Sequence, residues 1–360
     1  MGKTTVIPFG PQHPALPEPL HLDLELRDER VVRAIPSIGY VHRGLEKLVE
    51  NNDYQKMVYV MERVCGICSF GHSWGYCSAV EGLMDIEVPQ RAEYLRTIYM
   101  ELSRLHSHLL WMGLLADGMG FESLFMNCWR IRESILDIFE STTGGRVILS
   151  FTKVGGQYRD ISNDVLKDVV VKLQSMRKEL MSLTDVFLND TSVRNRMCDV
   201  GVLSHNEAWK LGAVGPTARG SGINNDQRSV DFGMYRDLGF DSILEKDGDC
   251  YARCKVRVLE LLQSIDIIEK AVNEIPGGPV STQFKGMPPV GECSVRIEQP
   301  RGEAFYYVKG NGTKYLDRAR VRTPTNANIP ALVRTLQECD LNDVTMLVLT
   351  IDPCISCTER

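Results

Sequence analysis

Two Cys-x-x-Cys pairs, Cys65-Gly66-Ile67-Cys68 and Cys354-Ile355-Ser356-Cys357, are separated by most of a 360-residue chain. Thiolates are soft donors, and four that converge make a strong site for zinc, nickel or an iron–sulfur cluster. Any fold that brings these pairs together must close an early segment against the last few residues. Chain ends ordinarily fray at the surface. A ligand pair three residues before Arg360 therefore predicts a C-terminal segment drawn into a working site.

Composition narrows the setting. Eleven cysteines with no apolar export segment after Met1-Gly2-Lys3 point to a reducing compartment. Cys77, Cys128, Cys198, Cys293 and Cys339 are isolated and read as small apolar fillers. Cys250 and Cys254 stand at the start of an expected helix, share a face and read as packing. A net charge of −6 with interspersed acids and bases gives no sign of nucleic-acid binding. No apolar run reaches the length of a membrane span, so a membrane association is expected to be peripheral.

Residues 8–19 carry Pro8, Pro11, Pro14, Pro17 and Pro19, which enforce an extended strap. Leu22, Leu24 and Leu26 then alternate with polar residues, the period of a half-buried strand, and 31–34 returns after a turn at Arg27-Asp28-Glu29-Arg30. Helical patterns follow over about 44–62, 90–116, 124–142, 163–188 and 251–274, punctuated by Pro89 and by glycines. Towards the end, 294–298 and 304–308 read as strands joined by the turn Pro300-Arg301-Gly302. A short helix over about 329–339 and a buried strand at 344–351 deliver the second cysteine pair. The expected fold class is α+β, one domain over 1–360. A central helical bundle is flanked by small antiparallel sheets from both chain ends.

Three uses of the cysteine pairs are open on this pattern. Structural zinc sites take both pairs from one short stretch, with roughly 15–20 residues between them; here zinc would clamp the whole fold. A redox disulfide would need a thioredoxin-like strand-to-helix setting, which neither pair clearly has. The third use is a catalytic metal centre assembled from both halves of the chain.

The neighbours add detail. Arg63 precedes the first pair, His72 follows it, and Asp352-Pro353 precedes the second. An imidazole that donates to a ligand sulfur is a common supporting device. The ensemble Arg-x-Cys-Gly-x-Cys-x-x-x-His with Asp-Pro-Cys-x-x-Cys resembles the large subunit of nickel–iron hydrogenases. Gly10-Pro11-Gln12-His13-Pro14, the segment 38–47 and the segment 215–222 resemble the quinone-site subunit of respiratory complex I. Energy-converting, membrane-associated hydrogenases share that ancestry, and the resemblance runs from about residue 7 to the last.

The resemblance implies nickel held by Cys65, Cys68, Cys354 and Cys357, with Cys68 and Cys357 bridging to an iron that carries carbon monoxide and cyanide. It places Arg301 beside the open metal position as a rigid, permanently charged fork of donors. Thr325 is implied to serve a cyanide. Cys354 is expected to take a proton when hydrogen is split, and Glu18, between Pro17 and Pro19, to carry it away. His72 is expected to donate to Cys68. Glu46 matches a ligand of a magnesium-like ion (Mg2+). Relatives pair that residue with a C-terminal histidine where this chain has Arg360, so an arginine partner for Glu46 is the other expectation. His13 is implied as inherited architecture near Glu18, and His106 and His108 as core or supporting residues. Without the resemblance, Arg301 reads as a turn arginine and Glu18 as a loop glutamate.

The implied activity is reversible reduction of protons to hydrogen by a catalytic subunit at the cytoplasmic face of the cell membrane. The implied partners are an iron–sulfur small subunit, a ferredoxin-type electron carrier and membrane subunits that translocate ions. The alternatives are a complex I-type quinone oxidoreductase subunit, which needs no cysteine pairs, and a zinc-clamped scaffold.

Overall fold

Leu22, Leu24 and Leu26 are buried while the residues between them stay partly exposed, and this alternation makes the strand β2 (His21–Arg27). It lies between β1 (Thr5–Phe9) and β3 (Arg30–Ser37), antiparallel to both. The computed structural model describes residues 4–230 and 232–360. Of the six residues Met1-Gly2-Lys3-Thr4-Thr5-Val6 on which the export reading rests, the first three lie outside them.

Two helices, α1 (Leu45–Glu50) and α2 (Val58–Glu62), replace the single one expected over 44–62. Asn51, Asn52 and Asp53 break it. Such side chains bind nearby backbone instead: Asn52 donates to the Leu48 carbonyl, and Asp53 accepts the Gln55 N–H. The next helix, α3 (Ser69–Met84), carries no amphipathic signal because it is buried on nearly all sides. Then come α4 (Gln90–Gly118), α5 (Glu122–Thr143), the hairpin of β4 (Thr152–Lys153) and β5 (Gly156–Gln157), and α6 (Asn163–Asn189). The short α7 (Thr191–Met197), α8 (His205–Lys210) and α9 (Gly215–Arg219) lead to α10 (Cys250–Glu274). Helix α4 packs on α5 and α10, and α10 on α6, which is the expected bundle.

The second antiparallel sheet is β6 (Gly291–Gln299), β7 (Gly302–Gly310) and β8 (Leu316–Arg322). Its first turn falls at Pro300-Arg301 as expected, and β8 extends it beyond the expected pair. Helix α11 (Pro324–Thr335) starts before the expected 329–339, with Pro324 in the first turn, where a missing N–H costs little.

The segment 344–351 is a correction: α12 (Val344–Ile351) is a helix and not a strand. An eight-residue apolar run has no period that separates the two. Its neighbours are α4, α10 and α11, so only a helix satisfies its backbone groups. Finally α13 (Ile355–Glu359) closes the chain, and one apolar core runs from Phe9 to Ile355. Among the described residues no helix is long and apolar enough to cross a membrane.

Candidate metal centre

Cys65 lies in the turn after α2, and Cys68 is the residue on which α3 starts. Arg43 holds that turn from outside, donating to the Arg63 and Val64 carbonyls at 2.9 and 2.7 Å. The first N–H groups of a helix have no intrahelical acceptor. Just ahead of those of α3, the Ile67 and Cys68 N–H groups point at Cys65 Sγ, 3.3 and 3.4 Å away. Cys354 likewise starts α13. Its N–H donates to Thr325 Oγ1 at 3.0 Å, and Thr323 Oγ1 donates to the Cys357 carbonyl at 3.1 Å. The entry to α11 thus grips the second pair.

The two pairs meet in the interior. Their four sulfurs form a buried cluster of their own, with Ile67 against it. Cys354 Sγ lies 3.2 Å from Cys65 Sγ, and the sulfurs of Cys65, Cys68 and Cys357 lie within 4.8 Å of one another. Hydrogen bonds from the Cys354 and Cys357 sulfurs pull the Cys68 thiol well below its usual range, while burial pushes Cys357 well above it. Four sulfurs so close cannot all ionise away from water unless a cation neutralises them.

Arg301 sits at the β6–β7 turn with its guanidinium buried. Nη1 lies 3.4 Å from Cys68 Sγ and 3.1 Å from Ser107 Oγ. Nη2 pairs with Asp352 Oδ1 at 2.8 Å, and Nε donates to the Asp352 carbonyl at 3.0 Å. The turn can sit there because Gly302, at φ 128°, passes Gly215 so closely that an added Cβ would stand 2.7 Å from the Gly215 backbone.

His72 is a second correction. Its Nε2 lies 3.3 Å from Cys357 Sγ, not at Cys68. Cys68 Sγ is already served by Arg301, and the ring reaches across to the other pair. Burial holds the imidazole neutral, its pKa lowered to about 4.

Glu18 accepts the N–H groups of Ile355 and Ser356, the latter at 3.1 Å, together with the Ser356 hydroxyl. It is therefore fastened to the start of α13. It also borders a cavity of about 240 Å³ with Ile67, Leu110, Leu114, Arg301 and Cys354. His13 stacks on Phe9 in the same strap. His106 accepts the Arg132 Nε–H at 3.0 Å, and His108 Nε2 lies 2.8 Å from Glu260, both inside the core as expected.

The magnesium-like ion does not fit. Glu46 Oε1 accepts Arg360 Nε at 2.8 Å and the Val321 N–H at 3.0 Å, and Oε2 faces Arg318 at 3.3 Å. Guanidinium groups stand where a metal was expected, so the arginine partner is the reading that holds. Among the described residues the thiols form the only group of three or more ligating side chains close enough for an ion.

Sequence reasoning gave no role to Asp352, Ser107 or Thr323. Only Asp352 carried a signal, as an acid beside the second pair and opposite in charge to Arg301. The donor set fits the nickel–iron group that the resemblance implies: four buried sulfurs, a guanidinium and an imidazole beside them, and a threonine hydroxyl at Cys354.

Comparisons with known proteins place the chain among two related groups. Residues 43–116 match the family described as nickel-dependent hydrogenase. Residues 118–289 and 281–360 match the family described as respiratory-chain NADH dehydrogenase, 49 Kd subunit. The membrane-bound hydrogenase subunit alpha of Pyrococcus furiosus is 39% identical, over 98% of this chain and 87% of its own. The carbon monoxide-induced hydrogenase of Rhodospirillum rubrum is 37% identical over 99% of both chains. An NADH-quinone oxidoreductase subunit of Desulfotalea psychrophila is 36% identical, over 99% of this chain and 97% of its own. Among solved structures, a chain of the membrane-bound sulfane sulfur reductase, an archaeal respiratory membrane complex, matches with a TM-score of 0.94 at 30% identity, covering 99% of this chain and 98% of that one. The chain belongs to the family that unites the 49 kDa subunit of respiratory NADH dehydrogenase with the large subunit of nickel-dependent hydrogenases.

Proposed function

We propose that this chain is the catalytic subunit of a membrane-associated nickel–iron hydrogenase, acting as one domain. Cys65, Cys68, Cys354 and Cys357 would hold a nickel–iron centre whose iron carries carbon monoxide and cyanide. The observation that carries this reading is the convergence of four buried thiols with the buried guanidinium of Arg301. When bound, the centre supplies the redox chemistry of hydrogen cleavage.

The chain's own residues do the rest. Asp352 holds the Arg301 fork in one orientation, so a fixed positive charge faces the site without reorganisation. Leu110, Leu114 and Ile67 line the cavity that Cys354 also borders, an approach suited to a small, uncharged, apolar substrate. A proton on Cys354 needs an acceptor within reach, and the Glu18 carboxylate borders the same cavity. The Ser356 hydroxyl donates to Glu18 and is a polar neighbour of the carboxylate. Thr325 accepts the Cys354 N–H, which leaves its own proton to donate to a cyanide.

The partners in this reading are an iron–sulfur small subunit, a ferredoxin-type carrier and ion-translocating membrane subunits at the cytoplasmic face of the membrane. Relatives named as membrane-bound hydrogenase and as part of a respiratory membrane complex support the membrane setting. A second reading, electron transfer to a quinone or to sulfane sulfur, draws on the 36% identity to a quinone oxidoreductase subunit and the 0.94 TM-score to the sulfur reductase chain. Metal analysis with infrared spectroscopy of the purified complex separates the two. Nickel and iron in equal amounts, with carbon monoxide and cyanide bands, are expected. Zinc alone or no metal would overturn the hydrogenase reading.

A further inference from the structure

His72 reaches Cys357 with one ring nitrogen, and the other nitrogen is also occupied. Nδ1 lies 2.9 Å from Tyr306 Oη, which in turn lies 2.9 Å from Gln299 Nε2. All three side chains are buried, so bulk water does not substitute for any link. The space for them is cut out of α3. A Cβ on Gly75 would stand 2.2 Å from the Tyr306 ring, and one on Gly71 would stand 3.0 Å from the Gln299 side chain. Gly71 and Gly75 are one helical turn apart, so two poor helix formers together open one slot.

The inventory of donors fixes the direction of the chain. A neutral imidazole holds a proton on one nitrogen and accepts on the other. A cysteine bound to a metal has no proton to give. His72 therefore bonds to such a sulfur only with its proton on Nε2, and Nδ1 must then accept. The Tyr306 hydroxyl is the donor in reach. Its alternative acceptor, the Gly71 carbonyl, is farther away at 3.4 Å. The Gln299 amide donates to the other side of the hydroxyl, which keeps the tyrosine proton turned towards the imidazole.

We propose that Tyr306, braced by Gln299, is a positioning residue that fixes His72 as the Nε2–H tautomer and so aims one N–H at Cys357 Sγ. A hydrogen bond to a ligand sulfur draws electron density from the metal. Tyr306 thereby tunes the centre without touching it. The inference rests on the reading of Cys357 as a metal ligand, whichever metal is bound.

The test is nitrogen NMR of the metal-loaded, diamagnetic protein made with nitrogen-labelled histidine. The His72 signals are assigned by their loss in His72→Gln. In the unmutated protein Nε2 is expected to carry the proton. Tyr306→Phe keeps the ring and loses the hydroxyl, and the two His72 nitrogen signals should converge as the tautomers mix. Gln299→Met should give a smaller change in the same direction, and it decides the matter if Tyr306→Phe does not fold. Where iron-bound carbon monoxide and cyanide are present, their bands should move to lower wavenumber in Tyr306→Phe at unchanged metal content. An Nδ1–H tautomer in the unmutated protein, or unaltered His72 signals in every variant that folds, overturns the proposal. Zinc in place of nickel would overturn the hydrogenase reading alone, because the NMR test works equally with zinc bound.

Discussion

Arg301 touches the Asp352 carbonyl, the Asp352 carboxylate, Ser107 and Cys68 with three different nitrogens. A lysine ammonium is one point of charge and cannot reproduce that fork. Arg301→Lys is expected to lower hydrogen turnover by about a hundredfold or more, the scale of losing one fixed donor at a reacting centre. Nickel content should stay the same, and an unchanged rate would remove Arg301 from the mechanism. Glu18→Gln is expected to abolish turnover while the infrared bands persist, since an amide oxygen still accepts one N–H of α13 but takes up no proton. Turnover near the normal rate would show that protons leave elsewhere. At this scale the cysteines were legible as a set of soft donors that could converge, whereas Arg301 read on its own as a turn arginine and stood out only through the family resemblance. The partner of His72 was not legible. Which sulfur an imidazole meets depends on how α3 is rotated against the second pair, and that rotation is set by packing. The Glu46–Arg360 pair was half legible, since the residue types named the charges and only the fold named the distance.

Helices α3 and α12 show why some elements escaped the sequence reading. Both are buried on nearly every side, and a helix without a polar face has no period to read. The alternating leucines of β2 face the core on one side only, and that strand was legible almost to its ends. The glycines of α3 are the residue pattern that leaves room for Tyr306 and Gln299. Gly75→Ala would push a methyl into the Tyr306 ring and is expected to destabilise the fold by about 1–3 kcal/mol, as overpacking does. Denaturant unfolding of the purified protein measures this. A midpoint unchanged from the parent would show that the tyrosine can step aside freely.

Across the whole molecule, ionisable groups sit where water does not reach. Arg219 and Arg228 share Asp226 and Glu260 in full burial. His106 and His108 are buried and neutral, their pKa values lowered by burial to about 3 and about 4 from 6.5. The unfolded chain therefore takes up protons that the folded chain refuses. The stability these histidines confer is complete above about pH 6.5 and is lost as pH falls towards their folded values. Burial raises Glu298 to about 7 and Glu62 to about 6, which acts in the opposite sense, costing stability as pH rises. Glu260, where Arg219 and Arg228 outweigh burial and hold the carboxyl well below its usual range, acts in the same sense as the histidines, so acid should destabilise the fold. His106→Gln keeps an acceptor for Arg132 and removes one titration. Its acid unfolding midpoint should move to lower pH, and an unmoved midpoint would assign the transition to other groups. The order of sheets and bundle along the chain was legible. The closure of its two halves was legible only through the thiols, because contacts between distant segments leave no local pattern.

The 3.2 Å contact between the Cys65 and Cys354 sulfurs also sets a limit on when the protein can be loaded. Two thiols that close lose their hydrogens readily to dioxygen, which is small and apolar enough for the cavity that Cys354 borders. A disulfide formed there would leave two of the four sulfurs unable to bind as thiolates. Air would shut the site before metal arrives, and a dithiol reductant would reopen it.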